Sequence, residues 1–171
     1  VIIGKNVRRN RVEILGFIFN YMYTIINPTS TSDFKQYYYI RWVLLRRPLC
    51  GQKGSERDEY ENESFHLMIK DLNNDCIGVG RIHQLKNIAQ IRYMAIKKAH
   101  QNKGLGSKLV SKLETFSKEK KISKIFLNSR ENAVKFYQKS GYSIIKKVKP
   151  SFGNIVHYRM EKALIIKETI L

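Results

Sequence analysis

The stretch Gln101-Asn102-Lys103-Gly104-Leu105-Gly106-Ser107 joins a strand-like run, residues 91–96, to a long amphipathic segment, residues 105–121. Apolar side chains recur in that segment at helical spacing, which predicts a helix. A glycine turn before a helix presents free backbone N–H groups and the positive end of the helix dipole to one point. Because glycine has no Cβ, an anion can approach the main chain closely. The stretch therefore predicts an anion site.

Two well-known phosphate loops do not fit these residues. A Walker A loop requires G-x-x-x-x-G-K-[ST], whereas Gly106 is followed by Ser107 and Lys108, and position 101 is not glycine. A dinucleotide fingerprint requires G-x-G-x-x-G, and its third glycine position is Leu109. The pattern that remains is Gln-x-x-Gly-x-Gly. On these residues alone, an ordinary helix start after a glycine turn is an equal alternative.

The composition is that of a globular domain. The chain has 171 residues, of which 43% are hydrophobic and 27% charged, enough for one domain with a real core. Its net charge of +18 permits nucleic acid, an anionic membrane or a pyrophosphate-bearing ligand as partner. No run of five or six basic residues occurs, which favours charge spread over solvated faces.

The first 21 residues resemble an extension ahead of the domain. Arg8, Arg9 and Arg11 precede an apolar run at 14–19, which is too short to span a bilayer and lacks a cleavage site. We predict a dispensable extension ahead of a domain that starts at Met22, with a weak membrane-surface anchor as the alternative. Two distant cysteines, Cys50 and Cys76, indicate free thiols in a reducing compartment and hence a cytoplasmic location.

The predicted strands and helices follow one another in the order β-α-β-β-β-α-β-α-β-β. Pro28 breaks the first strand, Thr31 or Ser32 caps the first helix, and an acidic loop follows Pro48. We expect an α/β (α+β) domain over residues 22–162, with a mixed, mostly antiparallel sheet of about six to seven strands flanked by helices, and a tail at 163–171. The strands are predicted at 23–27, 64–70, 76–85, 88–96, 122–127, 142–148 and 154–162, and the helices at 33–45, 105–121 and 131–140.

This order, with two motifs, resembles the GNAT N-acetyltransferases. Residues 91–96 followed by Gln101 to Gly106 resemble the family's central coenzyme A motif, and residues 131–142, Glu-Asn-Ala-Val-Lys-Phe-Tyr-Gln-Lys-Ser-Gly-Tyr, resemble its second motif. Residues 41–49, 54–59 and 155–160 resemble the acetyltransferase-like domain that precedes a thioesterase-like domain in some bacterial proteins. One departure is Arg130, where many members carry Asn; the subgroup shares this variation.

The resemblance implies acetyl-CoA as acyl donor, no metal, and a donor site built largely from main chain. The pyrophosphate would lie on Gln101, Asn102, Lys103, Gly104, Leu105, Gly106 and Ser107, and the pantetheine arm along Met94, Ala95 and Ile96. Asn128 would contact that arm, or else cap the following segment. Tyr137 would contact the donor and protonate the leaving thiolate, its alternative being a packing role.

The acceptor site is less well defined by the sequence. His157 is the candidate general base, ahead of His66 and His83, and a structural histidine is the alternative. Glu56 and Glu59 would attract a cationic amine, together with Asp58, unless the acidic loop is simply solvated. Arg41 would bind an acidic group of the substrate or pair with that loop.

The expected function is transfer of an acetyl group from acetyl-CoA to a primary amine in a ternary complex. The alternatives are a non-catalytic acyl-CoA-binding module and, less favoured, a basic nucleic-acid-binding protein, for which no recognition motif is present. The partners expected are acetyl-CoA and an amine acceptor, with neither nucleic acid nor membrane. The last strand and the apolar residues 163–166 would allow a homodimer.

Overall fold

Seven strands and three α-helices form one mixed α/β layer structure in the computed structural model, which describes residues 22–149 and 155–165. The sheet order is β1-β2-β3-β4-β5-β7-β6, and every neighbouring pair is antiparallel except β4 and β5. This confirms the predicted fold class. The strands are β1 (Tyr23–Ile26), β2 (Ser64–Asp71), β3 (Cys76–Leu85), β4 (Ile88–Ile96), β5 (Lys124–Arg130), β6 (Ser143–Val148) and β7 (His157–Ala163), and the helices are α1 (Thr31–Leu45), α2 (Leu105–Glu119) and α3 (Val134–Lys139).

Some element boundaries differ from those predicted. α1 begins earlier because Ser30, and not Thr31 or Ser32, is its cap: the Ser30 hydroxyl accepts the Asp33 N–H, and the Asp33 carboxylate accepts the Ser30 N–H. The fifth strand begins at Lys124, because Lys121 turns the chain with φ of 55° and Ile122 packs into the core before it. The predicted extension at 1–21, the first residue of the last predicted strand (154) and most of the predicted tail (166–171) lie outside the described part of the chain.

Two hydrophobic clusters cover opposite faces of the sheet. On β2, Leu67 and Ile69 pack with α2 and α3, whereas Met68 between them packs with α1. This follows from the alternation of side chains along a strand. Leu164, one residue beyond β7, is also buried in the larger cluster, so the core extends past residue 162. We call the α1 side the front face and the α2 side the rear face.

The sheet is open in its middle. β4 and β5 pair over four residues, from Ile88 with Lys124 to Ile91 with Leu127. Beyond these pairs, β4 stays on β3 as far as Ile96, and β5 stays on β7 as far as Arg130. A cleft therefore forms between the last residues of two strands that remain firmly paired on their outer sides.

A β-bulge in β4 lies where the strands part. Arg92 pairs with Arg81 and Ala95 with Val79, so Tyr93 and Met94 both stand opposite Gly80. Tyr93 has φ of 56°, a left-handed conformation that costs a non-glycine residue about 1–2 kcal/mol. A side chain at Gly80 would place its Cβ 2.5 Å from the Met94 sulfur, so glycine leaves room for the bulge.

A buried ionic network on the front face holds the bulge. Arg41 and Arg81, both fully buried, bind Glu61 at 2.8 Å and 2.7 Å, and Arg81 also binds Asp58. The Tyr93 hydroxyl donates to Asp58 at 3.3 Å, and the Arg41 guanidinium lies 3.5 Å from the centre of the Tyr93 ring. Burial opposes ionisation of Asp58, but Arg81 and Arg92 outweigh it and lower its pKa to about 2.

No helix among the residues described is long and apolar enough to cross a membrane.

Replacing Glu61 tests whether this network stabilises the fold. Glu61→Gln leaves Arg41 and Arg81 buried with one carboxylate fewer, and we expect a loss of about 3 kcal/mol in the free energy of unfolding. Urea denaturation monitored by circular dichroism measures it. Glu63→Gln, at an exposed position of the same loop, is the matched control and should change the free energy by less than about 0.5 kcal/mol. Equal losses in the two variants would contradict a stabilising network.

Candidate active site

The cleft between β4 and β5 has a volume of about 800 Å³. Ile91 and Leu127, the last pair that joins the strands, form its base, and Met94 to Ile96 face Asn128 to Arg130 across it. Gly104 to Ser107 and the α3 residues Phe136 and Tyr137 line its rear end, whereas Leu44 to Arg46 line its front end. A cavity of this size suits a small molecule, and two ends on opposite faces let two ligands meet.

The rear end carries the glycine loop. Gly104 caps α2 with φ of 77°, and no atom of the described residues lies within 4 Å of the Cβ that another residue would place there. No side chain within residues 22–149 and 155–165 caps the helix, so its first N–H groups are open to a ligand. The Gln101 amide donates to the Ile96 carbonyl at 2.9 Å, which ties the loop to the end of β4. The loop therefore has the geometry of an anion site beside the cleft.

Tyr137 reaches the cleft from α3. Its side chain is buried, its ring packs edge-on against those of Phe136 and Tyr142, and its hydroxyl has no hydrogen-bond partner in the described residues. Burial raises the pKa of the phenol well above its usual range. The hydroxyl therefore stays protonated at neutral pH and can donate to a ligand in the cleft.

Asn128 and His157 line the opposite wall. A short 3₁₀ turn, Glu131–Ala133, follows β5, and the cap positions of this turn and of α3 are Arg130 and Ala133, so Asn128 caps neither. The His157 Nδ1 lies 2.8 Å from the Ile155 carbonyl oxygen. Because a carbonyl oxygen can only accept, Nδ1 carries the proton and Nε2 keeps a lone pair. His157 can therefore accept a proton at Nε2.

The other two candidate bases belong to the buried network and do not line the cleft. The His66 Nε2 lies 2.8 Å from the Glu61 carbonyl oxygen, and burial lowers the pKa of His66. His83 stacks on Tyr60 at 4.4 Å between ring centres. Burial and the charges of Arg81 and Arg92 lower the His83 pKa to about 4.

The predicted substrate-binding residues Arg41, Glu56 and Glu59 do not line the cleft. Both terminal nitrogens of Arg41 bind Glu61, so we assign Arg41 a supporting role in the fold. Glu56 is buried and accepts the Gly54 N–H at 2.7 Å, while Glu59 is exposed. Substrate contacts by these two acids stay predictions.

Three residues that line the cleft, Arg46, Arg92 and Tyr93, and the network carboxylate Glu61 were not singled out from the sequence. Arg81 gave a usable signal, because an arginine inside the apolar strand Cys76–Leu85 requires a buried acidic partner. The acidic loop was the one candidate source of that acidic partner.

No group of three or more metal-ligating side chains occurs within residues 22–149 and 155–165.

Comparison with known proteins supports one family. Residues 51–164 match the family model of the acetyltransferase (GNAT) domain. The uncharacterized N-acetyltransferase YjcF of Bacillus subtilis is 27% identical over 133 residues, covering 78% of this chain and 94% of that protein. The uncharacterized protein YyaT of Bacillus subtilis is 32% identical over 119 residues, covering 68% of this chain and 80% of that protein. An aminoglycoside 6'-N-acetyltransferase solved with coenzyme A has the same fold, with a TM-score of 0.71 at 14% identity. The match covers 84% of this chain and 98% of that one.

The tautomer of His157 can be checked directly. We expect long-range proton–nitrogen correlations of ¹⁵N-labelled protein with neutral imidazoles to give the Nδ1-protonated pattern for His157, since the Ile155 carbonyl oxygen accepts from Nδ1. His157→Gln assigns the signals. An Nε2-protonated pattern would contradict the geometry, because Nδ1 would then have no proton to donate to the Ile155 carbonyl oxygen.

Proposed function

Because the chain belongs to the GNAT acetyltransferase family, we propose that it transfers the acetyl group of acetyl-CoA to a primary amine, directly and in a ternary complex. Membership of the family makes the protein an acyltransferase. The observation that carries the finer proposal is the cleft itself, with an anion loop at its rear end, an unpartnered Tyr137 hydroxyl inside, and a second entrance at the front.

The donor would be held mainly by main-chain groups. The N–H groups of residues 102–107 suit a pyrophosphate, since glycine at 104 leaves the approach open and the helix dipole favours an anion. Met94 to Ile96 have no partner on β5, so this edge of β4 can pair with the amides of a pantetheine arm. Asn128 would contact the arm from the other wall.

The reaction needs a neutral amine, a polarised carbonyl and an acid for the leaving group. N–H groups at the bulge near Met94 would stabilise the negative charge that develops on the thioester oxygen. As the C–N bond forms and the C–S bond breaks, His157 Nε2 would take the amine proton, directly or through water, and the Tyr137 hydroxyl would protonate the thiolate. Proton exchange with solvent restores both side chains.

Direct transfer is favoured by the position of the two cysteines. Cys50 is exposed in the loop after α1, Cys76 is buried at the start of β3, and neither lines the cleft. Burial raises the pKa of Cys76 to about 12, so its thiol is a poor nucleophile.

The Tyr137 hydroxyl favours an enzyme over a non-catalytic acyl-CoA-binding module, since simple binding of acyl-CoA does not require a hydroxyl there. The cytoplasmic location and the homodimer stay predictions.

Tyr137→Phe tests the proposed acid. Removal of the hydroxyl should lower the turnover of acetyl-CoA with an active amine about 100-fold or more, since general acids contribute on that scale. The dissociation constant of coenzyme A, measured by calorimetry, should change less than about threefold, because this hydroxyl serves the leaving group and not ground-state binding.

Tyr142→Phe is the matched control, because the Tyr142 ring packs against Tyr137 but does not line the cleft. Its turnover should stay close to that of the unchanged protein. Full activity of Tyr137→Phe would rule out this acid.

Gly104→Glu and Gly104→Ala together test the donor loop. Both variants place a Cβ at a φ of 77° and share that backbone strain, but glutamate also places a negative charge where the pyrophosphate would lie. We expect Gly104→Glu to weaken coenzyme A binding about 100-fold or more, consistent with roughly 4 kcal/mol of repulsion at close range. Calorimetry should show less than about a tenfold loss for Gly104→Ala. Equal losses would mean that strain, and not charge at a phosphate site, is responsible.

A further inference from the structure

The charged side chains that line the cleft are all basic. They are Arg46, Arg92, Lys98 and Arg130, and no aspartate or glutamate lines it in the residues described; the imidazoles of His100 and His157 line it as well. Lys98 and His100 lie beside the glycine loop at the rear end, where the donor phosphates account for positive charge. The three arginines need another explanation, because a primary amine by itself carries no negative charge.

Two of these arginines have contacts that hold them in place. Arg92 binds Asp58 at 2.8 Å, so a carboxylate offsets its charge. Arg46 donates from Nε to the Ser55 carbonyl at 2.8 Å and lies over the Tyr93 ring. Both belong to the front face with the buried network.

Arg130 has no carboxylate partner within the described part of the chain. Among the described residues, the one hydrogen bond of its guanidinium runs from Nη2 to the Leu45 carbonyl at the end of α1, at 3.2 Å. Burial, together with the nearby positive charge of Arg46, lowers the pKa of Arg130. A half-buried guanidinium that faces another cation and uses one of its five N–H groups is well suited to bind an anion.

The bond to Leu45 places this guanidinium at the front end of the cleft. α1 packs on the face opposite to α2, so Arg130 lies away from the loop proposed for the pyrophosphate. Its backbone pairs across the ladder with His157. Side chains opposite each other in such a pair have Cβ atoms about 4.5–5.5 Å apart, so an anion at Arg130 would lie close to an amine at His157.

We propose that Arg130, with Arg46 beside it, forms a subsite for a carboxylate or phosphate group of the acceptor, which is therefore an amine that carries an anion near its reacting nitrogen. The inference rests on the proposed acetyl transfer and names its substrate class. The positive charge also favours the neutral, nucleophilic form of an amine held beside it. Polyamines, which would bring several positive charges to this end, are disfavoured.

Binding to the protein saturated with coenzyme A tests the subsite without knowledge of the natural acceptor. The probes are N-acetylglycine for the carboxylate, inorganic phosphate for the phosphate, and N-acetylglycinamide as the neutral counterpart of the first. Saturation with coenzyme A keeps these anions out of the glycine loop. Chemical shifts of the Arg130 backbone amide and its Nε–H report binding. We expect at least one anion to give saturable shifts and the neutral amide to give none.

Variants show whether the Arg130 guanidinium is responsible for anion binding. Arg130→Gln should weaken anion binding at least about tenfold, Arg130→Lys should restore part of it, and Lys146→Gln, which removes one exposed charge elsewhere, should leave it unchanged. The proposal is overturned if neither anion shifts Arg130, if the neutral amide shifts it equally, or if Arg130→Gln binds as well as the unchanged protein. Failure to bind coenzyme A would remove the acetyl-transfer proposal and the subsite together, whereas normal coenzyme A binding without anion binding removes the subsite alone.

Discussion

The parallel pairing of β4 with β5 ends after four residue pairs, and the rest of the site depends on that early end. Had the strands paired to Ile96 and Arg130, their main-chain N–H and C=O groups would bond each other and leave none for a ligand. Because β3 and β7 continue to pair with the outer sides of the two strands, each strand stays held while its inner edge is open to the cleft. The bulge at Tyr93 and Met94 turns the end of β4 at the position where a reacting carbonyl would need N–H donors.

The opening is kept by charged groups as well as by apolar packing. Arg41 and Arg81 are buried, and burying two guanidiniums is costly unless carboxylates satisfy them. Glu61 lies between them, and Asp58 connects Arg81 with Arg92 and with the Tyr93 hydroxyl. The acidic loop thus contributes to the site indirectly. Its carboxylates bind the buried arginines and the Tyr93 hydroxyl and so fix the strained bulge, and the cleft itself is left with positive charge. This division explains how a loop rich in acids can stand next to a cleft that no aspartate or glutamate of the described residues lines.

Much of the fold could be predicted from periodicity and from the two motifs. β3 and β4 have the predicted bounds, and the glycine loop follows β4 as expected, because alternation and turn residues are local signals. The partners of the acidic loop could not be predicted. A loop without a period does not indicate which carboxylates point inward, so the sequence could not single out Glu61 as the buried partner of two arginines, nor separate Asp58 from Glu56 and Glu59. Arg130 was noted as a departure from the family pattern, but its bond to Leu45 and its proximity to Arg46 arise only when α1 packs over the sheet.

We propose that one cleft receives the acyl donor from the rear face and presents its thioester to the front. A crystal structure of the protein with acetyl-CoA tests this most directly. We expect the pyrophosphate on the N–H groups of residues 102–107, the pantetheine arm beside Met94 to Ile96, and the thioester sulfur within hydrogen-bonding distance of the Tyr137 hydroxyl. Acetyl-CoA bound on another surface, or a thioester turned away from Tyr137 and the front entrance, would contradict it.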